Sequence, residues 1–211
     1  AKAVLADFLD RRASDRIGLV VFGQRAYAVS PLTLDRESVR RQLRDAMVGM
    51  AGRETAIGDA IGLAVKRLRT QPAEHRVLIL LTDGENTAGV MTPAKAAELA
   101  RAEHVRIHTI AFGGEGGMMS VFGMQIPMPG MQDGIDEETL RKVADATGGR
   151  FFRARDTQSL AGIYAEIDRL EPVRREGAAV RPRIELYWKW LLAAMAAASL
   201  AVLVSWWRAR R

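Results

Sequence analysis

An uncharged apolar run near the C-terminus divides this chain into two parts. Residues 190–207 read WLLAAMAAASLAVLVSWW and contain no charged side chain over 18 residues. A helix of that length rises roughly 27 Å, close to the hydrocarbon core of a bilayer at about 30 Å. Its apolar residues lie all the way round, whereas a surface helix of a globular domain has one apolar stripe. We therefore predict a transmembrane helix over residues 187–207, with a buried core helix as the alternative.

Aromatic and basic side chains flank this run at both ends. Trp side chains favour the level of the lipid headgroups, and a Lys side chain can extend from there into water. The predicted anchor flanks are Trp188, Lys189, Trp190, Trp206, Trp207 and Arg208, followed by a basic tail over residues 208–211. Because Arg and Lys are abundant on both sides of the run, their count alone does not assign the cytoplasmic side.

The net charge of +6 lies outside the globular part. Residues 1–171 contain 23 basic and 23 acidic side chains, whereas residues 172–211 contain 8 basic and 2 acidic ones. The excess belongs to a Pro-containing linker over residues 172–186 and to the flanks of the apolar run, where anionic headgroups can neutralise it. A neutral domain indicates no nucleic-acid partner. The sequence contains no Cys, which excludes disulfides and thiolate metal sites.

Short apolar runs alternate with helical patterns through residues 1–171. The run VLILL over residues 77–81 is apolar on both faces, as in a buried parallel strand. The other predicted strands are residues 17–22, 26–30, 106–112 and 150–154, and helical patterns cover residues 1–12, 35–47, 56–69, 93–103, 136–148 and the region of 160–167. This order predicts an α/β fold with a doubly wound, mostly parallel sheet and helices on both faces. Because no strand precedes the first helix, we expect a fragment whose sheet lacks its first central strand.

Polar residues stand at two places where such a fold binds ligands, beyond the carboxyl ends of its strands. The segment Thr82-Asp83-Gly84-Glu85-Asn86 follows the apolar strand, and Arg53-Glu54-Thr55 precedes a helix. The Asp83 carboxylate and the Thr55 hydroxyl can bind a ligand there. The residues alone leave two alternatives open, in which Asp83 is a turn residue and Thr55 is the N-cap of the helix.

Four stretches together resemble the von Willebrand factor type A (VWA) domain. They are DRIGLVVFG over 15–23, ETAIGDAIGLAV over 54–65, VLILLTDGENTAG over 77–89 and RIHTIAFG over 106–113. The TDG that closes an apolar strand and the T-x-x-G-D upstream are specific as a pair. The resemblance covers nearly all of residues 1–171 and implies the Rossmann-like VWA fold. Within that family, residues 147–172 and the terminal apolar run resemble the BatA-like aerotolerance (Bat) membrane proteins.

The resemblance implies a metal-ion-dependent adhesion site (MIDAS), in which five side chains hold a divalent cation, usually Mg²⁺. Thr55 and Asp83 match two of those ligands, and Glu54, Gly84, Glu85 and Asn86 are the predicted partner-binding rim. Hydroxyls and few carboxylates leave a hard cation under-neutralised, so an acidic residue of a partner can complete its coordination. The other three ligands belong to an Asp-x-Ser-x-Ser loop, which these 211 residues do not contain. We therefore expect Mg²⁺ binding by this chain to be weak or absent.

The resemblance further implies a membrane-anchored protein-interaction module that is not an enzyme. Its expected partners are sister Bat proteins and a MoxR-type AAA+ ATPase, and its expected location is the bacterial inner (cytoplasmic) membrane with the domain on the periplasmic side. Two alternatives remain: a metal-dependent α/β hydrolase that uses Asp83, and a metal-free scaffold. The sequence contains no recognisable nucleophile, general base or cofactor motif for the hydrolase.

Methionine is concentrated in one segment that is too long for an ordinary connection between a strand and a helix. Residues 113–134 read GGEGGMMSVFGMQIPMPGMQDG and contain five of the nine Met. Thioethers can bind Cu(I), but an adaptable apolar loop that packs on the domain or on a partner is the simpler interpretation.

Overall fold

The structure, a computed structural model, describes residues 1–47, 49–113, 118–121, 124–127, 135–172 and 187–210. The chain divides into two compact units, Ala1–Arg174 and Arg175–Arg211. The predicted linker beyond Pro172 and much of the Met-rich segment lie outside the described residues. The copper and apolar-loop interpretations of that segment therefore stay predictions.

Strands and helices alternate through the first unit. The helices are α1 Lys2–Arg11, α2 Arg36–Asp45, α3 Ile57–Leu68, α4 Pro93–Ala102, α5 Glu137–Ala146 and α6 Thr157–Leu170, and a 3₁₀ turn covers Ala73–His75. The strands are β1 Ile17–Phe22, β2 Ala26–Thr33, β3 Val77–Thr82, β4 Arg106–Phe112, β5 Met118–Val121, β6 Met124–Pro127 and β7 Phe151–Ala154. The second unit contains α7 Tyr187–Ala209.

Side-chain caps explain where several helices begin. Asp35 accepts a hydrogen bond from the Ser38 N–H at the start of α2, and Asp136 accepts one from the Thr139 N–H at the start of α5. Each cap satisfies an N–H group that has no partner inside its helix. Both capping residues stand at the first positions of the helical patterns predicted from the sequence, residues 35–47 and 136–148.

The described sheet consists of two separate parts. Strands β3, β4 and β7 pair in parallel, in that order, whereas β1 and β2 form an antiparallel pair. Helix α3 packs against β1, β2 and β3, so it joins the two parts. The backbones of β5 and β6 form a further antiparallel pair. The predicted doubly wound α/β class is confirmed.

Helices cover both faces of the parallel strands. On one face, α3, α4 and α5 bury Ile107 and Ala111 of β4 together with Leu80 of β3. On the other face, α1 and α6 pack against Ile110 of β4 and Ala154 of β7. Strand β4 is buried along most of its length, whereas β3 is only partly buried, because β3 pairs with a single strand among the described residues.

Two local predictions were wrong. The second strand does not end before Pro31 but continues to Thr33, because β2 lies at an edge and its pairing is irregular here, where Pro needs no ladder hydrogen bond. The second helical pattern was predicted to continue to residue 47. That helix ends at Asp45, and Met47 is 72% exposed.

Helix α7 is long and apolar enough to cross a membrane. Residues Trp190–Ala209 have a mean hydropathy of 1.8, and none of this stretch is buried. Trp206 and Trp207 are exposed near its C-terminal end, and the Arg210 guanidinium lies 3.4 Å from the centre of the Trp206 ring. The exposure of this helix gives no support to the alternative of a buried core helix.

Candidate functional site

Two loops meet beyond the carboxyl end of β3. One loop joins β3 to α4, and the other precedes α3 and contains Thr55. The Thr55 N–H donates to the Thr87 hydroxyl at 2.9 Å, and the Thr87 N–H donates back to the Thr55 carbonyl at 3.0 Å. The fold therefore brings together the two segments that the sequence analysis selected, although 27 residues separate Thr55 from Thr82 at the end of β3.

The N-terminal end of α3 fixes the β3–α4 loop through side chains. The Asn86 side-chain oxygen accepts hydrogen bonds from the Ile57 N–H at 2.8 Å and the Gly58 N–H at 3.4 Å. The Asp59 carboxylate accepts from the Val90 N–H at 3.0 Å and from the Met91 N–H at 2.8 Å. Asn86 thus caps a helix that lies far away in the sequence, and Asp59 holds the far end of the same loop.

A third loop, after β1, supports the entry into α3. The Ala56 N–H donates to the Gly23 carbonyl at 2.7 Å, and the Gln24 N–H donates to the Ala51 carbonyl at 2.7 Å. A Cβ atom on Gly23 would lie 2.6 Å from the Ala51 oxygen, so only glycine allows this close approach. The loop that contains Thr55 is therefore fixed from both sides.

The Thr55 hydroxyl and the Asp83 carboxylate remain outside these hydrogen bonds. Thr55 is half-buried and Asp83 is exposed, and neither side chain makes a hydrogen bond or ion pair within the described part of the chain. Residue Ala56 occupies the N-cap position of α3 without a side-chain cap, which excludes the N-cap alternative for Thr55. The turn after β3 is bridged by the Thr82 hydroxyl, which contacts the N–H of Gly84 at 3.3 Å. Asp83 is therefore not needed to hold that turn.

The predicted rim residues differ in their surroundings. Glu54 and Glu85 are exposed, and neither forms an ion pair with a described residue. Gly84 is half-buried in the turn that follows β3. The Asn86 oxygen is engaged by the helix N–H groups, so this atom of the predicted rim is used inside the fold. The carboxylates of Glu54, Asp83 and Glu85 have no ion pair among the described residues, and neither do the exposed Arg25 and Arg53 nearby.

The donor atoms fit a hard divalent cation in kind but not in number. A hydroxyl and a carboxylate are the oxygen ligands that Mg²⁺ prefers. Among the residues that the structure describes, no group of three or more His, Asp or Glu side chains could hold a metal ion. By themselves, Thr55 and Asp83 would therefore supply part of a cation site rather than a complete one.

His108 and Glu171 form a buried ionisable pair at the opposite end of the sheet. His108 is 2% exposed, and its Nε2 atom lies 3.1 Å from a Glu171 carboxylate oxygen, while its Nδ1 accepts from the Arg150 N–H at 3.1 Å. Arg106 forms an ion pair with the same carboxylate. His108 therefore belongs to the core. Burial raises the pKa of Glu171, but the contacts with His108 and Arg106 outweigh burial and lower the pKa.

Sequence patterns did not identify the residues that build the site. Asp59 stands in the first turn of the helical pattern predicted over residues 56–69, and Thr87 belongs to no predicted strand or helix. The T-x-x-G-D spacing places Asp59 near the loop and was the available signal. No local pattern shows that Asn86 caps a helix that begins 29 residues earlier, because that contact depends on how the loop returns across the sheet.

The doubly wound sheet with its polar loops at the carboxyl ends of the strands defines a class of protein. A family model described as the von Willebrand factor type A domain matches residues 1–166, and the chain belongs to this family of protein-interaction domains. A protein of Borreliella burgdorferi is 26% identical over 179 residues, which cover 83% of this chain and 52% of that protein. A UPF0353 protein of Mycolicibacterium paratuberculosis is 30% identical over 169 residues, which cover 72% and 47%. The chain thus spans about half the length of these relatives.

Solved structures of Bat-related proteins are similar in fold to this chain. The conserved hypothetical protein BatB from Bacteroides thetaiotaomicron has a TM-score of 0.63 at 25% identity, over 80% of this chain and 85% of that chain. An aerotolerance-related membrane protein from Bacteroides fragilis has a TM-score of 0.61 at 22% identity, over 78% and 84%. Proximal thread matrix protein 1 from the mussel byssus, in a structure whose MIDAS motif is occupied by zinc, has a TM-score of 0.58 at 24% identity, over 80% and 39%. The latter two similarities concern the fold alone.

Proposed function

We propose that this chain is a membrane-anchored VWA module that binds protein partners through a Mg²⁺-dependent adhesion site containing Thr55 and Asp83. One observation carries the proposal: the fold uses Asn86, Thr87 and Asp59 to fix the loops and leaves the Thr55 hydroxyl and the Asp83 carboxylate unengaged by any described residue. When bound, the cation would supply a positive centre for an acidic residue of the partner. The zinc in the MIDAS motif of the mussel protein supports a divalent cation at this place.

The proposed organisation follows the charge and hydropathy of the sequence. Residues 1–171 form the VWA domain, 172–186 a linker, 187–207 the membrane helix and 208–211 a basic tail. Glu54, Gly84 and Glu85 form the rim, and Trp188, Lys189, Trp190, Trp206, Trp207 and Arg208 flank the anchor. We place the helix in the bacterial inner membrane with the domain in the periplasm. The partners in this proposal are sister Bat proteins and a MoxR-type ATPase, in a role without catalysis, and the similarity to BatB supports the first of these.

Cation binding is the first test of this proposal. Since the 211 residues contain no Asp-x-Ser-x-Ser, we expect the detergent-solubilised chain to bind Mn²⁺, a paramagnetic substitute for Mg²⁺, only weakly in an electron paramagnetic resonance titration. Thr55→Ala and Asp83→Ala should weaken this binding at least about fivefold with little change in Tm, because neither side chain supports the fold. Asp145→Ala at the opposite end is the matched control and should bind as the unmodified chain does.

Partner capture is the second test. Tagged chain recovered from membranes should retain its partners in Mg²⁺ and lose them in EDTA, and Asp83→Ala should lose them in both. Equal capture under all these conditions would contradict a cation-dependent site and favour the metal-free scaffold, for which the incomplete ligand set is the supporting observation. Hydrolysis of a phosphoester or a peptide that Asp83→Ala abolishes would instead favour the enzyme alternative.

A further inference from the structure

Basic side chains collect at the end of the first unit opposite the candidate site. The parallel strands begin at this end, and α3, α4 and α6 terminate there. We define the basic end by six exposed residues, none of which forms an ion pair with a described residue: Arg16, Lys66, Arg67, Arg69, Arg101 and Arg169. Four exposed carboxylates at this end likewise lack an ion pair within the described part of the chain: Glu74, Asp145 and, just beyond the end of β2 that pairs with Ile17, Asp35 and Glu37. The end therefore carries an excess of positive charge.

A mostly buried arginine holds the turns that carry these charges together. The Arg76 guanidinium donates to the carbonyls of Arg69 at 2.9 Å, Gln71 at 2.8 Å and Glu103 at 2.6 Å. It thereby joins the turn after α3 to the turn after α4. Between these turns lies an open groove of about 300 Å³ that Arg76, Arg101, His104 and Arg106 help to line. The charges of α3 and α4 consequently lie on one continuous surface.

The chain also leaves the first unit at this end. Helix α6 terminates at Leu170, and the Glu171 carboxylate that follows is held by Arg106 and by the buried ring of His108. Arg12, itself 6% exposed, contacts the Glu171 carbonyl and pairs with Asp168 at 2.9 Å. The exit point is therefore fixed to the basic end by several charged contacts.

The apolar helix follows within a short length of chain. Glu171 and Tyr187 are 16 residues apart, and even a fully extended chain of that length spans only about 55 Å. The intervening sequence contains four Arg and two Glu, so it adds positive charge. A membrane that contains α7 would thus lie within reach of the basic end.

We propose that the basic end docks on the anionic phospholipid headgroups of the membrane that anchors the chain. This inference rests on the proposed membrane anchoring but not on the cation site. Headgroup phosphates attract Lys and Arg side chains within about one Debye length, roughly 10 Å at ordinary salt. Because the candidate site lies at the opposite end of the unit, docking directs it away from the membrane and towards partners.

The absence of cysteine from the sequence makes a direct test possible. Single labels are introduced by Thr70→Cys at the basic end or by Val90→Cys on the exposed loop at the site end. The full chain is reconstituted into vesicles that contain a headgroup-labelled acceptor lipid, and energy transfer from the donor dye is measured. Vesicles of phosphatidylcholine alone are compared with vesicles that also contain phosphatidylglycerol.

Docking predicts opposite changes for the two labels. Phosphatidylglycerol should raise energy transfer from position 70 and lower it from position 90. Salt at about 1 M, where the Debye length is near 3 Å, should abolish the effect of phosphatidylglycerol on the energy transfer from both positions. This measurement uses a chain in which all six residues of the basic end are unchanged. This salt dependence tests the proposal even where a substituted chain folds poorly.

Charge neutralisation then locates the contact. The triple variant Lys66→Gln/Arg67→Gln/Arg69→Gln should lower the docked-to-undocked ratio by about a hundredfold, because each basic residue near an anionic surface contributes roughly a factor of five. The variant Arg25→Gln/Arg41→Gln/Arg44→Gln removes the same number of exposed charges elsewhere and should keep the energy transfer of the unmodified chain.

Several outcomes would overturn the proposal. Equal energy transfer with and without phosphatidylglycerol would exclude headgroup docking while leaving the anchoring intact. An equal loss of docking in both triple variants would show an effect of net charge alone. Loss of an acidic protein partner in the first variant, with no dependence on lipid charge, would assign the basic end to a protein interface. A chain that fails to float with vesicles lacks the anchor itself and would overturn the proposal, whereas the cation titration of the detergent-solubilised chain does not depend on the anchor.

Discussion

Asn86 illustrates how a polar residue near a binding site can stabilise the loop that forms the site. Its side-chain oxygen caps α3 from the β3–α4 loop, so one amide joins the two segments that contain Thr55 and Asp83. An acceptor at a helix N-terminus satisfies N–H groups that have no partner within the helix. The amide therefore contributes both to stability and to the relative position of the two candidate ligands.

Removal of this acceptor should destabilise the domain. We expect Asn86→Ala to lower the free energy of unfolding by about 1–2 kcal/mol, as the loss of a helix cap does elsewhere, and to weaken cation binding because the loops separate. Asn86→Asp keeps an acceptor and adds a charge that the helix N-terminus favours, so its Tm should stay close to that of the unmodified chain. Urea unfolding of the detergent-solubilised chain measures the free energy of unfolding of both variants. Equal losses of stability in the two variants would contradict a capping role for the Asn86 side chain.

Glu171 should make the stability of the domain sensitive to acid. Its pKa is lowered in the folded chain because the favourable contacts with His108 and Arg106 outweigh burial. The pair therefore contributes its full stability above the unfolded pKa of about 4.5, and that contribution disappears as the pH falls through the lower folded pKa. We expect Glu171→Ala to cost about 2 kcal/mol at pH 7, since the buried His108 ring loses its partner. Glu171→Gln should cost less and should show a flatter acid limb in Tm measured from pH 6 to pH 3.

Helix α3 connects the two parts of the sheet with the loops of the candidate site. It packs against strands of both parts of the sheet, its first turn receives the Asn86 cap, and its Asp59 holds the β3–α4 loop. Two glycines on this helix differ in what surrounds them. A Cβ on Gly58 would lie 1.9 Å from the Met91 carbonyl oxygen, whereas a Cβ on Gly62 would lie 3.4 Å from the end of the flexible Met91 side chain.

Alanine at these two positions should therefore have opposite effects. Gly58→Ala gains helix propensity but forces the Met91 backbone away, so we expect a net loss of about 1–3 kcal/mol. Gly62→Ala gains the same propensity without a backbone clash and should raise stability by up to about 1 kcal/mol. Thermal unfolding gives the Tm of each variant for comparison with the unmodified chain. Similar Tm values for both variants would show that the loop is not packed on the first turn of α3.

At the scale of the whole molecule, the direction of α7 in the membrane decides which compartment the candidate site faces. We expect the domain outside the cytoplasm and the Arg-rich end inside it. In spheroplasts, a membrane-impermeant maleimide should label Val90→Cys directly but should label Arg211→Cys only after permeabilisation. The cysteine-free background means that each signal comes from one position. Labelling of the C-terminal position alone in intact spheroplasts would reverse the proposed topology.

Most elements of this fold could be predicted because their signals lie in consecutive residues. The buried stripe of Ile57, Ile61 and Val65 on α3 has the spacing of a helix, and the caps Asp35 and Asp136 lie directly before the helices they begin. Met47 is the instructive failure, because a helical spacing continues in the sequence after the helix has ended at Asp45. Thr55 and Asp83 could be selected for their residue types and their places next to predicted elements.

The sequence by itself thus determined the α/β class, the apolar helix α7 and the residue types at the carboxyl ends of the strands, because each follows from local periodicity or composition. Only the tertiary structure decided which polar groups remain available. Asn86 and Asp59 are engaged by backbone groups about thirty residues away, whereas the side chains of Thr55 and Asp83 have no partner among the described residues. The basic end likewise exists only because the fold collects helix ends that are distant in the sequence. A hydrogen bond between remote segments depends on the path of the chain, and no pattern of neighbouring residues contains that information.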